Sequence, residues 1–125
     1  MTTKIHQFNP QIYPRMLWIT VGADIKSLRD MFGADLEEMD EDALADVARV
    51  GTDKPKKRGG ILIRFRSKKV MNHNTITHES DHAAIEIFDY CGCRIGVDNQ
   101  EPFTYLAGWI ADCCEQVKTG KFKDD

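Results

Sequence analysis

From about Thr75 to the stop at Gly120 the chain carries a helical pattern that is broken only once. Ile76, Ala83, Ala84, Ile87 and Phe88 recur at helical spacing, and Asn74 or Thr75 can cap the start. The pattern runs to about Tyr90, where Cys91-Gly92-Cys93 ends it. Residues 94–98 form a connection, and a second helix starts near Asn99. Pro102 is tolerated there because it falls in the first turn. Phe103, Leu106 and Ile110 then give that helix a stripe that packs on the first helix or on a sheet.

The sheet must come from the preceding residues. Met16-Leu17-Trp18-Ile19-Thr20-Val21 is β-branched and aromatic, and reads as a strand buried on both faces. Ile61 to Arg66 alternates, with Ile61, Ile63 and Phe65 toward the core and Arg64 and Arg66 on the other face. Between them, Asp24 can cap a short helix bearing Ile25, Leu28 and Phe32, which Gly33 ends. Residues 35–46 hold seven acidic groups with weak helical periodicity through Leu36, Met39, Ala43, Leu44 and Val47, and read as a solvated face. Residues 51–60 read as a basic loop or hairpin tip. Residues 1–15 form a polar arm with Pro10 and Pro14, and residues 120–125 a polar tail. The expectation is one α+β domain over residues 1–125, a length that supports a single modest core.

A net charge of -3 argues against a general nucleic-acid coat. Lys54, Lys56, Lys57, Arg58, Arg64, Arg66, Lys68 and Lys69 still make the middle locally basic. No helix-turn-helix, ribonucleoprotein or zinc-finger signature accompanies them, so a solvated hairpin is the stronger reading. No apolar run is long enough to span a membrane, and Met-Thr-Thr-Lys-Ile-His lacks the apolar core of a signal peptide. We therefore expect a cytoplasmic protein. Cys91, Cys93, Cys113 and Cys114 would then be thiols, and their spacing reads as core or near-surface residues rather than a metal knot. Trp18 and Trp109 read as core.

The chemistry lies in His78-Glu79-Ser80-Asp81-His82, an H-E-x-x-H motif on the first long helix. Residues i and i+4 share a helix face, so His78 and His82 can direct two imidazoles at one zinc ion. Glu79 is rotated by about 100° and can reach a water on that ion. Zinc lowers the pKa of such a water to about 7, and the carboxylate accepts its proton during attack on a carbonyl.

A catalytic zinc needs a third protein ligand. Glu86 continues the row but lies about 12 Å along the axis from His78, too far for one ion. The extended H-E-x-x-H-x-x-G-x-x-H pattern is absent, since Ile85 and Phe88 fill its last two positions. Glu101, opening the second long helix, is the leading candidate and Asp98 the runner-up, while Asp112 and Glu115 lie farther along. Tyr105, four residues after Glu101, can donate its hydroxyl to an oxyanion or can be a core tyrosine. Tyr90 has a weaker claim to the oxyanion role, and His73 reads as a loop residue.

An H-E-x-x-H helix followed by a Glu on the next helix resembles the gluzincin metallopeptidases, above all their minimal members from phages and conjugative elements. The resemblance is clearest over residues 75–110, including Glu101-Pro102-Phe103 and Tyr105-Leu106. It implies a zincin-like α+β fold, with a small twisted sheet over two helices and an edge strand beside the cleft that holds an extended peptide. It also implies zinc ligands at His78, His82 and Glu101 and the general base at Glu79. One position departs from the pattern: the residue before the second histidine is usually uncharged in these enzymes and here is Asp81.

The leading expectation is thus a zinc metallopeptidase acting on a peptide or protein substrate. A zincin-fold binding or regulatory protein without turnover is the alternative, favoured by Asp81 and opposed by the intact Glu79. A nucleic-acid-binding module built on residues 54–69 is the third reading.

Overall fold

The structure, a computed structural model, describes residues 4–53 and 56–123. The first three residues of the arm, Lys54 of the basic segment and the last two residues of the tail lie outside the described residues. The fold is α+β, with a mixed four-stranded sheet and three helices. The strands are β1 (His6–Phe8), β2 (Met16–Val21), β3 (Ala45–Thr52) and β4 (Arg58–Phe65). The helices are α1 (Ile25–Phe32), α2 (His73–Cys91) and α3 (Glu101–Thr119). A 3-10 turn at Lys68–Val70 leads into α2.

The strand order is β1-β2-β4-β3. β2 and β4 form the parallel centre, while β1 and β3 are antiparallel edges. The centre is where the apolar residues of the sequence are densest. Leu17, Ile19, Ile61, Ile63 and Phe65 face α2 and α3. Met16, Trp18 and Leu62 face the other way, onto Leu28 of α1. Alternation of side chains thus gives β2 a covered surface on both sides, as its composition implies. At the start of the pair the backbones approach closely, because a Cβ on Gly60 would lie 2.1 Å from the Met16 carbonyl oxygen.

Several local expectations are corrected. The weak helical pattern over residues 35–47 forms no helix: residues 35–44 are turns and irregular backbone, and Ala45 starts β3. Pairing with the apolar β4 overrides the local preference of the alanines there. The basic tip is narrower than residues 51–60, since β3 runs to Thr52 and β4 begins at Arg58. The arm contains β1, held by pairing with β2 and by Gln7, whose Oε1 accepts a bond from Trp18 Nε1 at 2.9 Å. α2 begins earlier than expected. The Asn72 side chain accepts from the Thr75 amide at 2.9 Å, which makes His73 the first helical residue rather than a loop residue.

Arg64 does not lie on a solvated face. It is 5% exposed, donates to both carboxylate oxygens of Asp46 at 2.7 and 2.6 Å, and reaches the Glu37 carbonyl at 2.9 Å. Arg66 donates to the carbonyls of Ala43 and Asp40. The acidic segment is therefore tied back to the end of β4 by two arginines, of which Arg64 is buried and paired with Asp46 and so lies outside any basic patch.

Cys113 and Cys114 are buried, Cys91 is half-buried and Cys93 is exposed. Burial pushes the Cys114 thiol up to about 12 and raises Cys113 as well. We expect an aromatic disulfide reagent to label Cys93 and then Cys91 in the native protein, with Cys113 and Cys114 reacting only after unfolding. Mass mapping of four equally fast thiols would contradict this packing.

Candidate metal centre

α2 crosses under the sheet and packs on both β3 and β4 as well as on α3. Its apolar residues Ile76, Ala83, Ala84, Ile87 and Phe88 are buried in that interface. The opposite side of the helix is polar, and the two histidines emerge there, next to the edge of the sheet. His78 and His82 lie with their Nε2 atoms 3.1 Å apart and their rings edge to face. Two nitrogens bound to one zinc at about 2.0–2.1 Å in a tetrahedral arrangement stand roughly 3.3 Å apart. The pair therefore fits two ligand positions of a metal ion.

The groove around them has a volume of about 330 Å³ and is lined by Ala45, Asp46 and Val47 of β3 and by His78, Glu79, His82 and Glu86 of α2. Glu79 is 7% exposed. Burial raises its pKa, the two histidines oppose that shift, and Asp46 adds to it. A carboxyl group raised in this way is the stronger proton acceptor once ionised.

The other carboxylates of the groove are engaged. Asp46 is held by Arg64. Glu86 and Asp89 both pair with Arg49, which reaches over from β3. The ion pairs fasten the edge strand to α2 at one end of the groove.

Glu101 is not brought to the histidines. It is exposed at the start of α3 and does not line the groove. The reasons are axial and rotational: α3 runs antiparallel to α2 with Phe103 against Phe88, which puts Glu101 near the C-terminal end of α2, away from the histidines. Ser80 faces α3, with its Oγ 3.9 Å from Cys114 Sγ. At about 100° per residue, His78 and His82 point roughly 160° away from Ser80, and so away from α3. Asp98 is exposed beside Arg94, Asp112 pairs with Lys123, and Glu115 is exposed on α3. Among the described residues no three His, Cys, Asp or Glu side chains come together as a metal-binding group.

Set beside protein-family models, curated proteins and solved structures, the chain matches none of them.

The remaining candidates fall elsewhere. Tyr105 is 74% exposed and borders a separate apolar groove with Pro10, Ile12, Tyr13, Pro102, Leu106 and Trp109. It belongs neither to the core nor to the histidine groove. Tyr90 is exposed and lies under the Arg15 guanidinium, 3.9 Å from its ring centroid. Asp81 is exposed. Trp18 is fully buried as expected, whereas Trp109 is half-buried at the rim of the apolar groove. Asp46 and Arg49 escaped the sequence reading. Their only signal is the alternation of Ala45, Val47 and Arg49 with Asp46, Ala48 and Val50, which an adjacent acidic run obscures. Among the described residues no helix is long and apolar enough to cross a membrane.

Proposed function

We propose that this protein is a zinc-dependent peptide hydrolase whose centre is the groove between α2 and β3. The observation that carries the reading is the 3.1 Å separation of the His78 and His82 Nε2 atoms, with buried Glu79 lining the same groove. The sheet over α2 and α3, with β3 at the edge beside the histidines, supports a zincin-like reading of the fold.

His78 and His82 would supply, through their Nε2 atoms, two of the three protein ligands that a catalytic zinc takes. A bound zinc supplies Lewis-acid polarisation to the scissile carbonyl and lowers the pKa of water. Glu79 takes the proton of the attacking water as the new C–O bond forms. It returns that proton to the departing amine nitrogen as the C–N bond breaks. The apolar walls at Ala45 and Val47 limit water around Glu79, and Asp46 helps keep its proton affinity high.

The second reading, zinc-dependent binding without turnover, is favoured by the separation of Glu101 from the histidine pair. One set of measurements tests both. Protein purified without metal-affinity resin is expected to bind one zinc per chain, and His82→Ala to lose it. Glu101→Ala is expected to retain zinc with affinity changed less than about twofold, because its side chain starts on the wrong side of α2. Loss of zinc in Glu101→Ala would restore the three-ligand centre that the gluzincin resemblance implies. Zinc content unchanged in His82→Ala would remove the metal centre altogether.

A further inference from the structure

β3 is an edge strand, and its free side opens onto the histidine groove. The Arg66 amide donates to the Leu44 carbonyl at 2.8 Å, which fixes the phase of the antiparallel ladder. Even-numbered positions of β3 therefore bond to β4, and Ala45, Val47 and Arg49 turn their N–H and C=O groups outward. Such an edge is a template for another strand.

The two faces beside that edge differ in charge. On the α2 face lie the histidines. On the α1 face lies a larger cleft of about 670 Å³, bordered by Asp35, Glu37, Glu38 and Asp40. Its two arginines do not neutralise these carboxylates. Arg64 is spent on Asp46 and on the Glu37 backbone carbonyl, and Arg49 is turned to the α2 face, onto Glu86 and Asp89. Arg66 bonds only to backbone carbonyls of the segment. Among the described residues none of the four acidic side chains has an ion-pair partner.

We infer that the free edge of β3 docks an extended peptide segment carrying Lys or Arg at alternate positions. A strand added to β3 sends alternate side chains to opposite faces. One set meets the histidine groove, and the other meets the acidic cleft, where cationic side chains complement it. The inference rests on reading the α2–β3 groove as the substrate site, and it supplies the substrate class for that site.

The test uses full-length protein carrying Glu79→Gln, so that bound peptide is not cleaved. Labelled seven-residue peptides differ only at three alternate positions, filled with Lys, Gln or Glu, and binding is followed by fluorescence anisotropy. The Lys peptide is expected to bind about tenfold more tightly than the Gln peptide at low salt, and the Glu peptide more weakly than either. Screening at about 0.5 M salt should compress the difference. Combining Glu37→Gln, Glu38→Gln and Asp40→Asn should erase it. N-methylation of alternate peptide amides should abolish binding without any change to the protein. Equal binding of the Lys and Glu peptides, equal binding of the N-methylated peptide, or no binding of any peptide overturns the inference. Repeating the titration with a zinc chelator keeps the two readings apart. A protein that selects the Lys peptide yet never binds zinc refutes the hydrolase and leaves the docking edge standing.

Discussion

Glu79→Gln is expected to keep the fold and the bound zinc while lowering peptide hydrolysis by roughly 10²–10⁴-fold. The amide has nearly the same shape as the carboxylate and fits the same buried position between the histidine turn and β3. It cannot accept a proton from water, so the chemical step loses its base while the metal keeps both imidazoles. Zinc stoichiometry and circular dichroism should match the wild type, and the deficit should lie in kcat. Turnover at the wild-type rate would remove Glu79 from the mechanism. Loss of zinc together with activity would reassign it as a ligand.

Phe88→Ala is expected to cost about 3–5 kcal/mol. The ring is 1% exposed and joins three parts of the molecule. It meets Phe103 of α3 edge to face at 5.6 Å and Tyr13 of the arm at 5.8 Å, within the cluster shared with the sheet. Truncation leaves a cavity among groups that belong to different elements, so no single side chain can collapse into it. Against a total stability on the order of 5–15 kcal/mol, that loss leaves little margin at 37 °C. Urea unfolding should show a lower midpoint at unchanged slope. Ile85→Ala, on the exposed side of the same helix, is the control and should cost far less. A loss in Phe88→Ala no larger than in the control would mean that α2, α3 and the arm do not share one core.

The elements that were legible in the sequence are those whose burial is intrinsic. β2 is an almost unbroken apolar run, β4 sets Ile61, Ile63 and Phe65 on one face, and α2 and α3 carry apolar residues at helical spacing, so composition and period agree. β3 was not legible. Its residues Ala45 to Thr52 are mostly half-exposed and include Asp46 and Arg49. What makes them a strand is the partner β4, which local pattern does not contain. β1 is three residues long and too short to show a period.

The candidate site divides in the same way. The His78–His82 pair depends only on the geometry of one helix, and spacing alone brings the rings together. Glu101 depends on which side of α2 meets α3. That choice is made by the buried face of α2, which includes Ser80, a residue the motif leaves open and which here meets Cys114 of α3. Asp46 reaches the groove, and Arg49 reaches Glu86 at its end, through the register of β3, which is equally invisible one residue at a time.

The parallel pairing of β2 with β4 also sets the order of assembly. Met16 meets Gly60 and Val21 meets Phe65, so the centre of the sheet forms only after α1, the acidic segment and β3 have been looped out between them. The β3–β4 hairpin and the α2–α3 pair close over short connections and pay a small entropic cost first. Insertion of β2 between β1 and β4 is then the slow, non-local step. Until it occurs, the side of β4 that will pair with β2 remains open, and Ile61, Leu62, Ile63 and Phe65 are exposed to other chains. The fraction of this protein that reaches its native sheet on refolding should therefore fall as its concentration rises.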